Sequence, residues 1–361
     1  MAFGSEFNYS RNGVSISRYA DPTITWETAY KQNYGIEIGL FNKFEIIADY
    51  FRETRKNILQ TRSSVPTTMG LQATPQSNLG EAFGKGVDLS VDYSQVYSSD
   101  FWLTVRGNFT YATSEYRVYE EPDYSQTPWR SRVGQKLSQE WGLIAERLFV
   151  DDADVINSPW QQFGEYSAGD IKYKDINRDD VIDARDMVPI GFPTTPEIIY
   201  GFGFSVGYRN FDLSAFFQGS AQSSFWINVP AVSPFVNTTG NSLRSQNALM
   251  KVIADDYWSE ERREPHAFWP RLSDRVMDNN ATRSTWFMRD GMFFRLKNAE
   301  LGYTLPKNLT QKARIEVVRF YLSGTNLWTL SKFKLWDPEM AGNGLGYPIQ
   351  RVVNIGVNIS L

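Results

Sequence analysis

The run from Asp175 to Asp186, DINRDDVIDARD, concentrates groups that could do chemistry. It follows the D-x-N-x-D spacing of an EF-hand-like loop. There, ligands come from positions 1, 3, 5, 9 and 12, with a backbone carbonyl at position 7. Those positions fall on Asp175, Asn177, Asp179, Asp183, Asp186 and, for the carbonyl, Val181. Hard oxygen donors at this spacing suit Ca2+, and Ile182 takes the inward apolar slot. Two positions depart from the pattern. Asp180 stands where glycine normally supplies a positive φ, and Asp186 has a shorter reach than the usual glutamate. The plainer reading is a solvated acidic loop that shapes a surface.

A second set of candidates is aromatic. Trp160, Trp226, Trp258, Trp269 and Trp286 lie in irregular stretches, with Phe163, Tyr166, Phe225, Tyr257 and Phe268 nearby. Such rings can stack on sugar faces. For any single ring, loop packing or contact with a covering protein is the plainer expectation. Covalent chemistry has little support. There is no Cys and only one histidine, His266. No nucleophile elbow, phosphate loop or paired-carboxylate motif is present. The run Glu260–Glu264 reads as a solvated charged surface. A net charge of −4 gives no nucleic-acid footprint.

The elements that must position these residues are strands. Helical periodicity is nearly absent, while period-2 alternation recurs. Tyr34, Ile36, Ile38 and Leu40 share one face, and a strand follows around Phe44 to Leu59. Val87 to Tyr93 and Phe101 to Tyr111 alternate in the same way. Tyr200, Phe202, Phe204, Val206 and Tyr208 oppose Gly201, Gly203, Ser205, Gly207 and Arg209. Phe211–Phe217, Ala299–Leu305, Val318–Leu322 and Val353–Leu361 complete the set. Short turns are expected at 41–43, 97–100 and 209–210, with a medium one at 306–314. Long loops are expected near 60–78, 117–195, 223–289 and 329–347, with residues 138–150 inside the second.

Strict alternation of long and short connections is the rule of an outer-membrane barrel, long loops outside and short turns in the periplasm. The strands also exceed the soluble mean of ~5–6 residues. The apolar faces are rich in Tyr and Phe, and the polar faces in Asp, Asn, Ser and Gly. A soluble sandwich would alternate too, but has no reason to sort its loops by side. The expectation is an all-β chain: about nine antiparallel strands forming the C-terminal portion of a transmembrane barrel. Residues 1–22 would be an extracellular loop segment and 23–361 the barrel part. No run of about 18 apolar residues marks a spanning helix. The first residues carry no secretion signal, so an exported protein would have its leader upstream.

Several blocks resemble one family. Asp21-Pro22-Thr23-Ile24-Thr25-Trp26-Glu27 opens the first strand and Lys85-Gly86-Val87-Asp88-Leu89 follows. GDIKYKDINRDDVIDARDMVPIG begins at Gly169, and PTTPEIIYGFGFSVGYRNFDLSAFFQG ends at Gly219. Trp258, Pro265 and Trp269-Pro270-Arg271-Leu272 come next, then Ser284–Gly291 and Phe294–Asn298. Tyr321–Leu327 and Trp336-Asp337-Pro338-Glu339 close the series. In this order they resemble the C-terminal part of SusC/RagA-type TonB-linked outer-membrane transporters of Bacteroidetes. The final alternating strand resembles the signal read by outer-membrane assembly machinery, with Leu361 in place of the usual aromatic.

The resemblance implies a barrel of about 22 strands, with a plug domain that this chain lacks. About nine strands cannot close such a barrel, so the expectation is a fragment, a truncated product or one part of a split barrel. It implies import of glycans, oligosaccharides or related nutrients, oligosaccharide or peptide being the ligand. Expected partners are a SusD/RagB-like surface lipoprotein acting as a lid, outer-membrane lipid, and TonB-ExbB-ExbD acting through the missing N-terminal part. Two other readings stay open. One is a surface glycan-binding or adhesion β-protein without transport. The other, a glycan-active enzyme, lacks a catalytic motif.

Overall fold

The computed structural model describes residues 2–3, 9–10, 15–236, 246–311 and 314–361. Parts of the expected segment 1–22, of the loop 223–289 and of the turn 306–314 lie outside the described residues. Nine long strands form one sheet: β1 Thr28–Leu40, β2 Phe44–Thr61, β3 Gln76–Ser98, β4 Phe101–Val118, β5 Ile198–Tyr208, β6 Phe211–Ala221, β7 Phe293–Thr304, β8 Val317–Ser331 and β9 Val352–Ser360. The order in the sheet is the order in the chain. The result is an up-and-down antiparallel meander. The shortest strand has 9 residues and the longest 23, and a tilted membrane-spanning strand needs ~9–11.

Turns and loops sort by end. β1 and β2 are joined by a tight turn in which the Lys43 amide donates to the Leu40 carbonyl at 3.0 Å. Phe41 and Asn42 have φ of 57° and 54°, the type I′ geometry whose twist matches paired strands. Ser99-Asp100 joins β3 to β4, and Arg209-Asn210 joins β5 to β6. A short helix, Lys307–Thr310, lies between β7 and β8. All the longer connections, 62–75, 119–197, 222–292 and 332–351, leave the opposite ends of the strands.

Register separates two chemistries. On one face Phe101, Tyr208, Phe211, Tyr303, Phe320 and Val357 pair in a row across β4 to β9. The next row on that face is Leu103, Val206, Leu213, Leu301, Leu322 and Ile355. Further along, Phe202, Phe217 and Phe294 stack, with Phe217 and Phe294 at 5.3 Å and 7°. Two aromatic zones thus flank a shorter aliphatic band, the pattern of a lipid-facing wall. The other face carries Thr104, Ser205, Ser214, Glu300, Ser323 and Asn354. At Lys297 the register shifts, and this bulge keeps both Phe294 and Leu301 on the apolar face.

By compactness the chain divides into two units. One comprises Met1–Gln32, Arg52–Gly84 and Ser114–Leu137, the other Asn33–Phe51, Lys85–Thr113 and Ser138–Leu361. In the first, Arg62 Nε lies 2.7 Å from Glu120, tying the two loops at the long-loop end. In the second, residues 138–150 form two short strands inside the long connection. Glu140–Gly142 pairs with Val188–Ile190, and Ala145–Leu148 with Ile171–Tyr173. None of these joins the nine-stranded sheet.

Candidate functional site

The long connections of the second unit fold into a packed body. Its centre holds Leu143, Leu148, Ile171, Tyr173, Ile182, Ile253, Trp258, Trp269, Phe287 and Phe333. Hydrophobic residues from short strands, a short helix and irregular segments find one another here, and burying them offsets the entropy of ordering loops.

A buried polar lock holds this body together. Asp170 is fully buried, and its carboxylate accepts from Arg271 Nε at 3.0 Å, Asn280 Nδ2 at 2.8 Å and the Ser167 amide at 2.9 Å. Burial raises the Asp170 pKa above its usual value, with Arg271 acting against it. Gln161 donates to the Ile171 carbonyl and to Asn279, and accepts from the Tyr173 amide. Gly169 precedes the lock with φ of 85°, and a Cβ there would sit 2.3 Å from the Trp258 ring. Only glycine meets both demands. The blocks around Gly169, Trp258 and Arg271 are therefore one structural unit, a link their sequence separation hides.

The acidic loop is braced from within. Asp186 is buried, and its two carboxylate oxygens accept the amides of Ile176 and Asp183, each at 2.9 Å. Asp175 accepts the amides of Arg178 and Asp180, Asn177 accepts that of Asp179, and Asp179 accepts that of Val181. Asp180 does adopt a positive φ, 62°. The guanidinium of Arg185 lies 2.7 Å from Asp179 and 2.9 Å from Asp183. Among the described residues no three acidic or imidazole groups cluster as a metal requires. The side-chain cation seated on these loop carboxylates is Arg185.

The five tryptophans part ways. Trp258 and Trp269 are 6% and 5% exposed and belong to the loop core. Their rings face packed side chains, the plainer of the two expectations for a loop tryptophan. Trp286 is half-buried and donates to the Phe268 carbonyl. Trp160 is 60% exposed and pairs with Val181 at the acidic loop. Trp226 lines an open cleft of about 400 Å³ with Asn228, Thr282, Arg283, Ser284 and Gly342. Arg283 packs on the Trp226 ring at 5.1 Å and pairs with Glu140. Such a cleft offers an aromatic edge, an amide and a guanidinium to a polar ligand.

The polar face of the sheet is sculpted by glycine. Gly302 leaves space for Arg319 on β8 to pair with Asp212 on β6 and, at 2.6 Å, with Glu300 on β7. A Cβ on Gly302 would sit 2.4 Å from both Arg319 and Asp212. A recess of about 300 Å³ beside it is lined by Trp102, Ser205, Arg209, Asp212, Ser214 and Thr304. Above it, fully buried Arg295 on β7 binds Asp337 at 2.6 Å and Glu339 at 2.9 Å, anchoring the last long connection. Sequence spacing offered no sign of these two ion clusters, since their members lie on different strands and loops.

With this geometry in view, the similarities to known proteins are specific. A family model described as "TonB dependent receptor-like, beta-barrel" matches residues 2–327. The chain is 26% identical over 348 residues to TonB-dependent receptor P3 of Formosa agariphila, covering 91% of this chain and 32% of the relative. It is 23% identical to TonB-dependent receptor SusC of Bacteroides thetaiotaomicron, covering 94% and 32%. The chain thus spans about a third of the length of these relatives. A solved structure of the RagAB peptide transporter has the same fold over 98% of this chain and 38% of its own, with a TM-score of 0.68 at 22% identity. The family match, the two-faced meander and the sorted loops together show that this chain belongs to the TonB-dependent receptor β-barrel family, as an outer-membrane member of SusC/RagA type.

Proposed function

We propose that this chain supplies wall and loop cap to an energy-coupled outer-membrane importer of oligosaccharides or related nutrients. The observation that supports this most is the asymmetry of the two ends. One end has tight turns, and the other a packed loop body with an aromatic and polar cleft. In this reading the loop body faces outward and the turns face the periplasm. The polar face lines the path, and no residue makes or breaks covalent bonds. A SusD/RagB-like lipoprotein covers the loop body, and the TonB complex supplies energy; no residue of this chain is assigned to TonB contact. The relative named SusC and the structure named a peptide transporter keep oligosaccharide and peptide both in view.

Growth on a single oligosaccharide or peptide source tests the proposal. Loss of the gene should abolish uptake of at least one such nutrient, and Trp226→Ala should weaken uptake of the same one. Unchanged growth and uptake on all of them after gene loss would leave the adhesion reading in place.

The acidic loop carries a smaller proposal. Calcium enters only by displacing Arg185 from Asp179 and Asp183. Calorimetry should show tighter calcium binding by Arg185→Ala than by the unaltered protein. No heat from either would end the calcium reading.

A further inference from the structure

β2, β3 and β4 carry an unusual group where their apolar face ends toward the long loops. Phe83 on β3 has two guanidinium groups against its ring. Arg52 from β2 lies with Cζ at 5.4 Å and Arg117 from β4 with Cζ at 4.8 Å from the centroid. Both distances are within cation–π range. Strand parity places all three on the apolar side. Arg52 follows Phe44 and Tyr50 at even positions of β2, and those rings contact Tyr93 and Tyr34 of the apolar face. Phe83 follows the odd-numbered series of Val87, Leu89 and Val91 on β3. Arg117 continues the series of Phe101, Leu103 and Val105 on β4.

Both arginines are exposed. Arg117 pairs with Glu115 at 2.7 Å. Among the described residues Arg52 has no carboxylate within ion-pair distance. Two cations drawn to one ring repel each other, and an anion between them relieves that repulsion. The planar fork of each guanidinium matches the oxygens of a phosphate. The end of an apolar strand face is the depth at which lipid headgroups meet a barrel.

We propose that Arg52, Phe83 and Arg117 form a docking site for a phosphate-bearing glycolipid of the outer leaflet. The arginines hold the phosphate and the Phe83 ring keeps them splayed at the depth of the headgroup. The site lies on the outside of the wall. It therefore concerns how the barrel is seated in its membrane and not what passes through.

The test uses the protein extracted from outer membranes and native mass spectrometry, with bis-phosphorylated lipid A and its chemically dephosphorylated form as probes. The unaltered protein should retain the phosphorylated form preferentially. Arg52→Gln and Arg117→Gln should each reduce that retention about fivefold, leaving the dephosphorylated form unaffected. Arg52→Lys should recover part of the loss, since charge returns without the fork. Equal retention of the two lipids by the unaltered protein would overturn the proposal. So would full retention by the folded double variant. If the variants fail to fold, the comparison of the two lipids on the unaltered protein decides alone.

Discussion

Asp154 shows how much one side chain organises in the loop body. Arg147 and Lys172 stand directly opposite each other on paired short strands, an arrangement that like charges disfavour. Asp154 resolves it, accepting both guanidinium nitrogens of Arg147 at 2.5 and 2.9 Å, Lys172 Nζ at 3.1 Å and the Val150 amide at 3.1 Å. Burial pushes its pKa up, but Arg147, the Val150 amide and Lys172 outweigh burial and hold it well below the carboxylate range. A depressed folded pKa means the stabilisation is present above the unfolded value, about 4. It is lost as pH falls through the folded value. Protease resistance of the loop body should therefore decline below about pH 4. Asp154→Asn should cost about 2 kcal/mol at neutral pH and flatten the acid dependence. A variant that keeps the full acid response would show that other groups control it. No sequence motif announced Asp154, because its partners are read only once the strands pair.

The strands are the element whose meaning was most legible in the sequence. Period-2 alternation located all nine, and Asn, Ser and charged residues marked the tight turns near 41–43, 97–100 and 209–210. Face is then fixed by parity, since one residue along a strand reverses the side. Ser214 and Ala215 are neighbours on β6 with opposite surroundings. Ser214 lies in the polar row with Ser205 and Glu300, and Ala215 lies between Phe204 and Ala299. Ala215→Arg should destabilise the barrel by about 2–4 kcal/mol near the bilayer midplane, whereas Ser214→Arg should cost much less. Urea unfolding in lipid vesicles measures both, and equal costs would mean that the faces are assigned the wrong way round. What alternation did not reveal was the bulge at Lys297, which depends on how β7 fits two neighbours at once.

For the whole molecule, the exposed apolar rows require a lipid surround. Ile355, Leu301 and Leu322 are 85%, 48% and 47% exposed on one face, and no soluble sheet leaves such a continuous wall uncovered. The protein should fractionate with the outer membrane and need detergent for extraction, and recovery as a soluble folded monomer would contradict this. The sequence by itself determined the strand count, the two-faced sheet, the sorting of loops and the family, because each is written locally in alternation, turn residues and ordered blocks. Tertiary structure decided the fate of the candidate site residues. Trp258 and Trp269 became core, Asp186 and Arg185 became an internal brace, and Trp226 alone came to line the cleft of about 400 Å³. The reason is that a loop residue's role depends on distant partners, as in the Asp170–Asn280 contact across 110 positions. Chain closure, not local pattern, brings those partners together.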